Sequence, residues 1–299
     1  MGSADGSAPP SARARALAAM LVAAGLFSLM GAFTKAATGK GSFGTATALS
    51  GSQIALYRYL FGLAFLWLLR ATRGVDLLGS DRRGLLWRGV FGGLASVCFF
   101  VGIDRTTLTH ATLLNYTSVV WATLLAVFSL GERLAVRGVA SVAVALAGVV
   151  LVTRPEFGHV HGGDAIALLS GILAGAAIVQ IRRLRRGESA YAVFFYFNLL
   201  GLPMSLAALW LSGDPFRVPG VGAIPLLLAV GATSVAAQLL MTYGYREVTA
   251  AEGSLLTLTS ALFTPLLAFA WFGEALPAPT LLGGALILAG AVTLATSRR

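Results

Sequence analysis

Apolar residues run in long blocks over roughly 15–37, 52–70, 84–104, 108–130, 136–153, 164–182, 189–212, 222–245, 250–272 and 278–296. Short polar or basic segments separate them. Each block comes close to the ~20 residues that an α-helix needs to cross the hydrocarbon core of a bilayer. None has the strict in–out alternation of a membrane β-barrel strand. In lipid every backbone polar group must be satisfied internally, so a spanning segment that is not part of a closed barrel is a helix. The pattern therefore predicts an all-α integral membrane protein with ten transmembrane helices.

Composition agrees. The chain is 57% hydrophobic and 11% charged, with a mean hydropathy of +0.82. Soluble domains carry about 25% charged residues. The first apolar block follows a basic start, as in a signal peptide, but exceeds the 7–15 residues of a typical signal core. It is expected to be the first membrane helix, behind a polar, mobile leader at 1–14. The single cysteine, Cys98, excludes a disulfide within the chain.

Net charge is +10. In a soluble protein that balance would suggest nucleic acid. Here the distribution points to topology, and no nucleic-acid partner is expected. With the N-terminus inside, the inside segments hold Arg13, Arg15, Arg70, Arg73, Arg82, Arg83, Arg88, Arg133, Arg137, Arg182, Arg183, Arg185, Arg186, Arg246, Arg298 and Arg299. The outside segments hold only Lys40, Arg105, Arg154 and Arg217. Lys and Arg collect on the cytoplasmic side of membrane proteins. Both termini are thus expected in the cytoplasm of a bacterial inner (plasma) membrane.

A shift of 142 residues lays "LLNYTSVVWATLLAVFSLGERL" (113–134) over "LLTLTSALFTPLLAFAWFGEAL" (255–276). Leu113, Leu114, Thr117, Ser118, Leu124, Leu125, Ala126, Gly131, Glu132 and Leu134 recur in register, and "ALAGVV" at 145–150 meets "ILAGAV" at 287–292. The chain reads as two five-helix repeats, 15–155 and 156–299. An odd number of helices makes consecutive repeats face opposite ways. That explains why the first Gly-Glu turn carries Arg133 and Arg137 while the second carries Ala275 and Pro279. Inverted repeats are a mark of transporters, with the substrate site near the midplane between the halves.

The two Gly-Glu modules, the five-plus-five plan and Arg58 in "YRY" of the second helix resemble the drug/metabolite transporter superfamily. The likeness is greatest to its EamA-type ten-helix members, which export amino acids and related metabolites. It covers roughly 15–296 and implies transport by alternating access. One departure is that Pro265 has no counterpart at Thr123.

Candidate substrate-binding residues are the larger polar and aromatic groups in mid-span. They are Tyr57 and Arg58 in the second helix, and Asn115, Tyr116, Ser118 and Trp121 in the fourth. Asn198 in the seventh occupies a position like that of Arg58. Gln238 and Tyr243 lie in the eighth helix, and Ser254, Thr257 and Ser260 in the ninth. Large polar groups are costly in lipid without a partner, which favours Asn115, Trp121 and Gln238 as functional. Ser and Thr can instead bond back to their own helix. Lys35 can snorkel to the nearer interface.

No Asp or Glu lies deep in a span. Glu252, two residues into the ninth helix, comes nearest, and Glu132 and Glu274 are expected to fix tight loops. A cavity without acids suits neutral or zwitterionic cargo. The motif "GKGSFG" at 39–44 has no strand before it, so it is no dinucleotide fingerprint. His159, His161 and Asp164 in "HVHGGD" lack a fourth metal ligand. The G-x-x-x-G pairs at 89–93 and 171–175 are expected to pack within the monomer. No P-loop is present, and His110, His159 and His161 have no nucleophile at catalytic spacing. The expectation is a non-enzymatic, monomeric carrier of small molecules, without metal or cofactor, embedded in lipid. A drug or vitamin carrier is the alternative, an integral-membrane enzyme a remote one.

Overall fold

The computed structural model describes residues 10–37, 49–105, 108–132, 136–153, 163–213, 215–272 and 276–296. The motif at 39–44, Lys40, Arg133, Arg154, His159, His161 and Glu274 lie outside them, as do the side chains of Lys35, Asp104, Arg105 and His110. The described residues are mostly helical and contain no strand. The elements are α1 (Pro10–Ala37), α2 (Gly51–Arg73), α3 (Arg82–Arg105), α4 (Leu108–Tyr116), α5 (Ser118–Leu130) and α6 (Val136–Thr153). They continue as α7 (Asp164–Leu184), α8 (Ala190–Ser212), α9 (Ile224–Gly244), α10 (Ala250–Leu258), α11 (Ser260–Phe272) and α12 (Ala278–Thr296).

Two expected spans, the fourth and the ninth, are broken rather than continuous. Thr117 separates α4 from α5, and Thr259 separates α10 from α11. The cause is local. The Thr117 N–H and hydroxyl both reach back three residues to the Leu114 carbonyl, at 3.2 and 2.5 Å. Thr259 does the same to Leu256, at 3.2 and 2.6 Å. A three-residue return tightens the turn and interrupts the four-residue ladder. Counting α4–α5 and α10–α11 as one span each gives ten.

Packing relates the halves by a pseudo-two-fold exchange. α1 packs on α9 as α3 packs on α7; α7 runs beside α4 and α5 as α1 runs beside α10 and α11. Two pairs of repeat mates, α6 with α12 and α2 with α8, cross each other antiparallel. Where α6 meets α12, a Cβ added at Gly148 would fall 2.5 Å from the Gly283 carbonyl, and one at Gly290 would fall 2.6 Å from the Ser141 carbonyl. Where α2 meets α8, Gly62 faces Asn198 and Gly201 faces Tyr59. In each pair residue numbers rise on one helix as they fall on the other. That is the geometry of an inverted repeat.

Without a hydrophobic drive between helices in lipid, small residues that permit close approach hold such crossings. The two G-x-x-x-G pairs work the same way within the chain. Gly89 and Gly93 meet Tyr196 and Met204 of α8, while Gly171 and Gly175 meet Leu114 and Trp121. The largest buried cluster includes Met20, Tyr59, Ile181, Phe194, Phe197 and Tyr245 and reaches the arginine-rich end at Leu77 and Val248. Phe128 and Trp210 are over four-fifths exposed, as lipid-facing side chains are.

One end of the bundle collects most arginines, and a polar network closes it. Arg182 donates to Glu132 at 3.3 Å and to the Tyr245 and Arg246 carbonyls at 2.8 and 2.6 Å. Arg13 pairs with Glu252 at 2.7 Å. Glu188 accepts the Ser80 and Asp81 N–H groups at 2.9 and 2.6 Å. Arg185 donates to the Thr242 carbonyl at 3.1 Å and to the Glu188 carbonyl. Burial, then the neighbouring Arg246, lowers the Arg185 pKa, while Glu247 and Tyr243 offset part of that.

Candidate functional site

Between α3, α4, α7, α8 and α9 lies a cavity of about 210 Å³. Arg88, Ser96 and Phe99 of α3, Asn115 of α4, Ile178 of α7, Phe197 of α8 and Gln238 of α9 are on its wall. Ser96 and Gln238 stand 142 residues apart, so the two repeats contribute the same position to one hollow. Asn115 is held by its amide, which donates to the Ser170 hydroxyl at 3.0 Å. Gln238 is buried, and its carbonyl oxygen has no hydrogen-bond partner among the described residues. It is an acceptor left free on a residue of the cavity wall.

Arg88 is the residue that sequence reasoning missed. Its position near the start of the third span assigned it to the inside arginines. It is instead 3% exposed and lies against the Phe197 ring, 4.6 Å from guanidinium carbon to centroid. An arginine at that depth can reach either way, and the sequence carries no signal for direction. A second cation meets the same aromatic pair. Arg58 lies 4.7 Å from the Tyr59 centroid and 5.8 Å from that of Phe197. Cation–π contact of this kind holds a guanidinium where no acid is available. The cavity, expected to be mostly uncharged, carries a cation, Arg88, on its wall.

Of the expected site residues, Asn115 and Gln238 line this cavity; the others do not. Ser254 and Thr257 bond back to carbonyls of their own helix, at 2.7 and 2.9 Å in the shorter bond of each. The Ser260 carbonyl accepts from Ser28 at 3.0 Å, and Tyr116 lies next to Ser260. Ser118 and Trp121 are half-buried, with the Trp121 Cβ against the Gly175 site on α7. Tyr243 is exposed. Tyr57 lies against Phe216, 6.4 Å between centroids with the rings tilted, and is not on the cavity wall. Asn198 donates to the Phe194 carbonyl at 2.7 Å and packs on Gly62. Its counterpart in the crossing is Tyr59, not Arg58, because the α2–α8 correspondence runs at 139 residues rather than 142. A second hollow, of about 400 Å³, opens at the arginine-rich end beside Asp81, Trp87 and Arg183.

This geometry has known relatives. The model of the EamA-like transporter family matches twice, over residues 14–154 and 161–296. The chain belongs to the EamA-like transporter family. Each match covers one five-helix repeat. The pseudopaline exporter CntI of Pseudomonas aeruginosa is 26% identical over 275 residues, which is 91% of this chain and 93% of that protein. Solute carrier family 35 member G1 of Mus musculus is 26% identical over 235 residues, 74% of this chain and 63% of that protein. A solved crystal structure superposes with a TM-score of 0.78 at 21% identity, over 96% of this chain and 97% of its own, and shows the same fold. As an EamA-like transporter the chain is a multi-pass membrane protein that moves a small-molecule substrate.

Proposed function

We propose that this transporter exports small amphipathic metabolites, amino acids foremost, by alternating access. The observation that carries the reading is the cavity wall itself, where repeat-related Ser96 and Gln238 face one hollow beside Asn115. One half would rock against the other about this hollow, opening it to each side in turn. Export is supported by the Pseudomonas aeruginosa relative, which is named for it. The arginine-rich end would face the cytoplasm of a bacterial inner membrane, with both termini on that side. The working unit would be a monomer of two halves, 15–155 and 156–299, with residues 10–14 of the expected leader already helical in α1.

The test is transport by purified protein in liposomes, with a panel of labelled amino acids and an imposed pH gradient. Protein-dependent flux that saturates and shows counterflow supports the reading. Empty-liposome rates for every solute in the panel would sink it. Gln238→Ala should reduce flux without loss of folded protein.

A further inference from the structure

Arg88 is the one charged side chain among the described residues that line the cavity. The direction it takes is informative. In a helix the Cα–Cβ bond leans toward the N-terminus. For Arg88 that is the arginine-rich end, so snorkelling to water would be easy. The side chain does the reverse. A Cβ added at Gly92, one turn further into the span, would meet the Arg88 Nη1 at 2.0 Å. The guanidinium is thus folded inward over a glycine that leaves room for it.

There it meets no counter-ion among the described residues. Nε and Nη1 have no hydrogen-bond partner among the described residues. Acids at the arginine-rich end are engaged elsewhere. Glu132 holds Arg182, Glu252 holds Arg13, Glu247 holds Arg246, and Glu188 caps the Ser80–Asp81 backbone. Arg58, on the same Phe197 ring, has an unpartnered Nε and adds a second positive charge. A buried charge left unpaired costs several kcal/mol. The cavity beside it has room for a small molecule to supply the missing negative group.

We infer that Arg88 receives a carboxylate of the cargo, and that the cargo carries net negative charge, as a small organic acid or an acidic amino acid does. The inference rests on the transport reading and narrows its substrate class. The guanidinium fork suits a carboxylate in bidentate contact, and Gln238 and Asn115 stand on the same wall for the remaining polar groups. The positive field of Arg58 disfavours cations, and two guanidiniums on one ring favour a cargo with an excess of carboxylates over a zwitterion of zero net charge.

Purified full-length protein in detergent should be stabilised against heat by L-glutamate and succinate, and not by L-leucine or choline. Arg88→Gln should remove that ligand-dependent rise, and Arg88→Lys should keep part of it. Without ligand, Arg88→Gln should melt at or above the wild-type temperature, because it removes an unpaired buried charge. A merely structural arginine would give a lower one. In liposomes the same variant should lower carboxylate flux by about tenfold or more, the usual cost of a lost charged hydrogen bond. An unchanged stabilisation in Arg88→Gln overturns the inference, as does equal stabilisation by leucine or choline. Stabilisation by glycerol 3-phosphate alone would overturn the carboxylate assignment. Wild-type protein that binds glutamate through Arg88 yet moves no solute would sink the transport reading and leave the anion site standing. Leucine flux well above the empty-liposome rate, and equal in Arg88→Gln and wild type, would overturn the anion site and leave the transport reading standing.

Discussion

The Glu132 carboxylate accepts the backbone N–H of Ala250 at 3.1 Å while its other oxygen holds Arg182 at 3.3 Å. Glu132 belongs to the turn after α5, in the first repeat. Ala250 opens α10, in the second. A carboxylate at a helix N-terminus meets both unsatisfied N–H groups and the positive end of the helix dipole. One side chain therefore ties the two halves together at the arginine-rich end, where rocking motion would have to part them.

Glu132→Ala is expected to loosen that end. In a Cys98→Ser background, a cysteine at Met241 on the cavity wall should react several-fold faster with a membrane-impermeant maleimide applied from the arginine-rich side. Met241 is 8% exposed, so the wild-type background rate should be low. No change in labelling rate would mean that Glu132 fixes a loop and nothing more.

The glycine contact between α6 and α12 gives an independent test of the inverted packing. Gly148→Leu would press a side chain onto the Gly283 carbonyl, where even a Cβ has 2.5 Å. Overpacking of this kind costs about 1–3 kcal/mol, read as a lower melting temperature in detergent. Gly25→Ala, where nothing lies within 4 Å, should melt as wild type or slightly above. Equal behaviour of the two variants would show that α6 and α12 do not meet through these glycines.

Much of the fold was legible because lipid leaves few choices. Apolar length fixed the spans, and the expected limits at 136–153 and 278–296 fall within a residue or two of α6 and α12. The recurrence of Thr117 at Thr259 was visible, but not its consequence. A threonine that bonds three residues back breaks a helix only where the surrounding packing accepts a tighter turn. The site was less legible. Asn115 and Gln238 were found by the cost of large amides in lipid. Arg88 was hidden, since a helix-end arginine that snorkels and one that turns inward have the same sequence. Ser254 and Thr257 satisfied themselves locally, the common fate of hydroxyls in apolar helices.

The start of α10 carries a capping box that also anchors α1. The Thr249 hydroxyl accepts the Glu252 N–H at 3.3 Å, Glu252 accepts the Thr249 N–H at 2.9 Å, and Arg13 reaches the other Glu252 oxygen. Thr249→Ala should cost about 1 kcal/mol, the usual value for a lost N-cap, and Thr249→Ser should restore most of it. Thermal unfolding in detergent measures both. An alanine variant as stable as the serine variant would mean that the Thr249 hydroxyl adds nothing to the hold that the Thr249 N–H and Arg13 already have on Glu252.

The orientation proposed for the bundle can be tested with two positions outside the helices. Gly187, in the turn after α7, is exposed at the arginine-rich end, and Phe216, in the segment after α8, is exposed at the opposite end. On Cys98→Ser, a cysteine at each position should report its side in intact cells. Impermeant maleimide should label Phe216→Cys directly, and Gly187→Cys only after the membrane is opened. The reverse pattern would place the arginine-rich end outside, against the charge bias, and would turn the proposed direction of transport around. Labelling of both from outside would be worse for the fold, because α8 would then not span the membrane.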